Sequence, residues 1–72
     1  MKIGDKVRVK DNLKEELLRL AFGEATSDGM AERFAGTEQE IFALWTDEES
    51  GQKYATIDLL CEIPVQCLEV IE

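Results

Sequence analysis

EIPVQCLEVIE, residues 62–72, is the stretch from which the fold is read. Alternating apolar residues lead into Pro64, the one proline of the chain, and a short tight segment follows around Gln66 and Cys67. A second alternating run, Leu68 to Ile71, comes last. Since successive side chains of a strand point to opposite faces, this order predicts a short strand, a tight reversal and a closing strand.

Working outward, residues 54–60 (YATIDLL) predict the preceding strand, with Ala55, Ile57 and Leu59 inward and a tight turn near Cys61. Residues 46–53 (TDEESGQK) form a charged hairpin connection with Gly51 in a left-handed conformation. Before it, residues 39–45 (QEIFALW) make the strongest strand, apolar on both faces: Ile41, Ala43 and Trp45 on one, Phe42 and Leu44 on the other. One face fills the interior, and the other calls for a cover.

That cover is expected from a helix at about 12–22. Asn12 and Glu15 have capping-box spacing, Leu13, Leu17, Leu20 and Ala21 recur at helical intervals, Leu18 and Phe22 widen the stripe, and Gly23 ends it. Glu15 and Arg19, four apart, form an exposed pair. Residues 23–29 (GEATSDG) read as a polar loop, the most mobile part of the chain, with Ser27 or Asp28 capping a second short helix at about 30–35. Met30 and Phe34 face inward from it, and Gly36 stops it. At the start, KVRVK (residues 6–10) alternates valine with charge, a half-buried strand with a cationic outer face.

With 72 residues the chain is a single domain, 1–72, that needs most of its apolar residues as core. Its 44% hydrophobic and 33% charged residues are the composition of a folded chain, since that much apolar surface offsets the entropy of ordering. No run resembles a signal peptide or a membrane span, and a cytoplasmic location is expected. The formal net charge of −8 opposes binding to phosphate backbones and anionic membranes. Five of the eight bases lie in the first fourteen residues, whereas residues 34–72 hold nine acids and one base, Lys53.

Over nearly the whole chain, IGDKVRVK, a long excursion, FAGTEQEIFALW, YATIDL and EIPVQCLEVIE resemble the SH3-like barrel superfamily. The likeness is to small bacterial and phage SH3-like proteins, and more distantly to KOW and photosystem accessory-subunit barrels. It implies a mainly β fold: a small five-stranded SH3-like barrel with the helical insertion between strands 1 and 2, and the last strand pairing with the first. The proline-peptide groove of eukaryotic SH3 domains does not carry over, because the first strand is KVRVK, Trp45 ends the second strand, and Cys67 stands where a tyrosine belongs. Gln39 stands where a KOW motif places a glycine, and no pore residue of the type II dihydrofolate reductases is matched.

The absence of histidine excludes Ser-His and Cys-His nucleophile activation, so no catalytic residue is assigned. Cys61 and Cys67 read as buried or half-buried thiols, since a zinc site wants four Cys or His ligands. Asp47, Glu48 and Glu49 lack the alternate-position ligands of a calcium loop and read as a solvated hairpin tip. No metal or cofactor is expected. Lys6, Arg8 and Lys10 either pair with acids such as Glu69 on the neighbouring last strand or recognise an acidic partner. Trp45 and Tyr54, flanking the hairpin on adjacent strands, are the candidate contact surface, aromatic residues being enriched among interface anchors.

The expected function is a non-enzymatic protein–protein interaction or accessory-subunit module, in contact with another protein near Trp45 and the 23–29 loop. An oligomeric ligand-binding or enzymatic barrel with a site at its symmetry axis is the alternative. Nucleic-acid binding through the basic first strand ranks below both.

Overall fold

The computed structural model describes residues 1–58 and 61–71. Its order is β1 (Lys6–Val9), α1 (Leu13–Arg19), α2 (Glu24–Phe34), β2 (Glu38–Glu40), β3 (Ala43–Thr46), β4 (Lys53–Asp58) and β5 (Cys61–Pro64). A one-turn 3-10 helix at Val65–Cys67 and β6 (Leu68–Val70) follow. The six strands form two antiparallel three-stranded sheets, β2-β1-β6 and β3-β4-β5. This overturns the five-stranded SH3-like barrel: the described strands do not close into one.

The physical reason lies between Ile41 and Phe42. Ile41 N–H donates to Asp5 O (3.0 Å), at the start of β1, whereas Phe42 N–H donates to Thr56 O (2.8 Å), in β4. The backbone thus changes sheets between two consecutive residues. The apolar run 39–45, expected as one strand, is consequently two. The chain returns to the first sheet at Pro64–Cys67, where the 3-10 turn separates β5 from β6. Pro64 is compatible with its place because β5 is an edge strand, where a missing N–H need not leave a gap in a ladder.

Other expectations hold. β1 pairs with β6 (Val7↔Val70, Arg8↔Glu69, Val9↔Leu68) as well as with β2. Val7 and Val9 are fully buried, and Lys6 and Arg8 are exposed. Ala55 and Ile57 point inward as read, while Leu59 and the turn before Cys61 lie outside the described residues. The core gathers Val7, Val9, Ile41, Ala55, Ile57, Ile63 and Leu68 from the strands, with Leu13, Leu17 and Phe34 from the helices and Cys67 from the 3-10 turn.

The helices differ from expectation in their bounds. α1 ends at Arg19, and the residue in the left-handed conformation beyond it is Ala21 (φ 68°), not Gly23. Phe22 N–H donates to Leu17 O and Ala21 N–H to Leu18 O, both at 3.0 Å, the two bonds of a Schellman cap. An L-residue is strained there by contact of its Cβ with the backbone. Ala21→Gly is therefore expected to raise stability by about 1 kcal/mol, seen as a higher urea midpoint. Asn12 makes no side-chain cap because its backbone (φ −91°, ψ 34°) is outside the extended conformation from which capping reaches. Glu16 rather than Glu15 pairs with Arg19, at 3.1 Å.

Residues 23–29 are not a loop. Gly23 precedes α2, and the helix takes in Glu24 through Gly29. Ser27 is fully buried, and its hydroxyl donates to Gly23 O at 2.9 Å, which satisfies it within the helix. Ser27, Met30, Ala31 and Phe34 form the inward stripe, one and the same helical face. Lys14 Nζ reaches Asp28 Oδ1 at 2.7 Å, tying α1 to α2, and this carboxylate pushes the Lys14 ammonium pKa up. Gly36, after the helix, has φ 76°, and a Cβ there would stand 2.6 Å from Asp11 Oδ1.

Candidate functional site

The β3–β4 hairpin positions the candidate surface. Asp47 shapes its tip: its N–H donates to Gln52 O (2.8 Å), and its carboxylate accepts from Glu49 N–H (3.0 Å) and the Ser50 hydroxyl (3.1 Å). Gly51 N–H donates to Asp47 O from the predicted left-handed conformation, φ 77°. Asp47 is thus engaged in the turn. Among the described residues no three Cys, Asp or Glu side chains are grouped as a metal site.

The register Ala43↔Thr56, Leu44↔Ala55, Trp45↔Tyr54 and Thr46↔Lys53, continued by Ala55↔Ile63 and Tyr54↔Pro64, sorts the hairpin into rows. Leu44, Ala55 and Ile63 share the inner face; Trp45, Tyr54 and Pro64 share the other. Trp45 therefore does not belong with buried Ile41, as the simple alternation had it, because the sheet change intervenes. Its ring stacks on Tyr54, centroids 4.6 Å apart and planes 17° from parallel. Trp45 remains 41% exposed. A shallow groove beside the pair is bordered by Met1, Leu44, Thr46, Lys53 and Val65.

The expected helical cover is absent here. α1 packs on α2 and the 3-10 turn, leaving Phe42 53% and Leu44 37% exposed. Sequence periodicity placed apolar residues on both faces of this segment but gave no means of telling which face would be covered.

Lys6 and Arg8 lie in the middle strand of their sheet, with glutamates beside them: Lys6↔Glu40, Arg8↔Glu38 and Arg8↔Glu69. Arg8 Nη2 also comes 3.8 Å from Asp11 Oδ1. Glu38 and Glu40 were not foreseen as partners, since they lie on a strand that the sequence did not separate from β3. Lys10 lies beyond the end of β1, half-buried, with its N–H on Cys67 O. Arg8 and Lys10 border one shallow groove with Asp11, Asn12 and Glu69, and Lys6 and Arg8 belong to the β2-β1-β6 sheet, whereas Trp45 and Tyr54 belong to the other.

Both cysteines are free. Cys61 is half-buried, with Arg33 Nη1 3.9 Å from its sulfur. Cys67 is fully buried, and loss of hydration pushes its thiol from 9.0 up to about 11; the Glu16 carboxylate adds to the rise and the Lys10 ammonium opposes it. A folded-state value above the unfolded one favours folding fully below the lower pKa, and the benefit is lost as pH rises through the higher. Between about 9 and 11 the urea midpoint is expected to fall with rising pH, less steeply in Cys67→Ala than in the parent.

Compared with known proteins, the chain matches no family model, no curated protein and no solved structure. No helix among the described residues is long and apolar enough to cross a membrane.

Proposed function

We propose that this protein is a non-enzymatic interaction or accessory-subunit module that docks another protein through the Trp45–Tyr54 face. The observation that carries the proposal is the stacked, half-exposed Trp45–Tyr54 pair with Leu44 and Met1 at its borders. A stack on a sheet surface keeps two large rings rigid at little entropic cost, which suits an interface anchor. The first turns of α2, once expected to contribute as a loop, are no part of this surface. A cytoplasmic setting belongs to the proposal and accords with two unpaired thiols. The glutamates flanking Lys6 and Arg8 support a role for those bases in pairing within their own sheet rather than in binding phosphate.

The test is parallel capture from cell extract on immobilised parent and Trp45→Ala proteins, with mass spectrometry of what is retained. Proteins held by the parent and lost from the variant are the expected result. Identical sets, or none above a blank surface, would overturn the proposal.

A further inference from the structure

Among the described residues two sheets of three strands present four edges, and an unprotected edge invites pairing with another extended chain. Three of the four carry features that discourage it. β2 has Glu38 and Glu40, β5 has Glu62 and Pro64, and β6 is three residues long with Glu69 at its centre. β3, Ala-Leu-Trp-Thr, has neither charge nor proline.

The phase of the β3–β4 ladder shows which groups this edge offers. The bond from Asp47 N–H to Gln52 O marks residue 47 as turned toward the returning strand. Alternation then turns the N–H and C=O of Ala43 and Trp45 toward β4 and those of Leu44 and Thr46 outward. Among the described residues neither Leu44 nor Thr46 has a strand on that side. Leu44 on one face and Trp45 on the other flank the open backbone, both partly exposed.

Charge identifies the occupant. At the Phe42 end Glu38, Glu40 and Asp58 border one groove together with Lys6, and at the hairpin end Asp47, Glu48 and Glu49 follow β3 with Lys53 opposite Thr46, so acids outnumber bases at both ends. An antiparallel second copy would bring one chain's Asp47–Glu49 tip toward the other's Phe42 end, which Glu38, Glu40 and Asp58 border, acidic end against acidic end. A segment with apolar centre and basic ends meets opposite charge at both ends. We infer that β3 is a docking strand that accepts, by strand addition, an extended segment of a partner protein with alternating apolar residues flanked by Lys or Arg. This rests on the interaction-module reading and adds to it the mode of binding and the chemistry of the partner.

A random-peptide display library panned on the immobilised protein supplies the probe, and amide hydrogen exchange followed by NMR supplies the readout. Selected peptides are expected to alternate apolar residues between basic ends and to slow exchange of the Leu44 and Thr46 amides about tenfold or more. Thr46→Pro, which removes an outward N–H without touching the β4 ladder, is expected to weaken the same peptides about tenfold. Should that variant not fold, the exchange measurement on the parent decides alone. Peptides that need Trp45 but leave the two amides unprotected would overturn strand addition and spare the surface. Peptides with acidic ends, or protection of the two amides by self-association without peptide, would overturn the occupant. Selection of no peptide at all would overturn both the docking strand and the interaction-module reading.

Discussion

Leu17→Ala is expected to destabilise the fold by about 2–5 kcal/mol, the range for emptying a well-packed core site. Leu17 is fully buried in α1 and belongs to the one core that both sheets and both helices share. A domain of this size has roughly 4–11 kcal/mol of stability in all, so the variant retains only part of it. Leu18, the next residue, is 41% exposed, and Leu18→Ala should change stability by no more than about 0.5 kcal/mol. Urea unfolding followed by far-ultraviolet circular dichroism distinguishes the two. Equal losses would mean that α1 does not seat its 13/17 face in the core.

Trp45→Ala is expected to cost about 2 kcal/mol or more in partner binding, roughly a thirtyfold loss of affinity, as truncation of a central aromatic anchor does. Its effect on folding should be smaller, because only the stack with Tyr54 and a half-exposed ring are lost, an aromatic pair being worth about 0.5–1.5 kcal/mol beyond its buried area. Titration calorimetry with a captured partner, at a temperature where both proteins are folded, separates these effects. Arg8→Ala, in the other sheet among glutamates, serves as the control and should leave binding unchanged. A comparable loss from Arg8→Ala would relocate the contact surface to the β2-β1-β6 sheet.

Much of the local structure was legible in residue order. The alternation of KVRVK predicted which side chains of β1 are buried, Gly51 marked the left-handed position of the hairpin, and the run from Glu62 to Ile71 specified a strand, a turn and a strand. Pairing of the first strand with the last followed from the resemblance and is present. What escaped was decided by tertiary contacts. Ser27 reads as a loop or cap residue, yet as a small side chain bonded to its own helix it serves as a buried position of α2. Its spacing to Met30, Ala31 and Phe34 was the available signal. The change of sheet at Ile41 and Phe42 left no mark, because both residues are as apolar as a continuous strand requires.

For the candidate surface, the two aromatics and their adjacency across the hairpin were legible, since a two-stranded connection of that length sets them opposite each other. The bareness of the β3 edge was not. It depends on where α1 packs and on which strands lie beside β3, and neither follows from the residues of β3 themselves.

The pairing of Val7 with Val70 has a consequence for the order of assembly. Helix α1, helix α2 and the β3–β4 hairpin are each built from neighbours in sequence and can form as soon as their residues are available. β1 cannot: it is the middle strand of its sheet, and one of its two partners is β6, far from it in sequence. On a ribosome, the valines of β1 must wait for Leu68–Val70 before both their flanks are paired. Contacts between segments distant in sequence close slowly, so β1, although made before β6, is fully secured only after it.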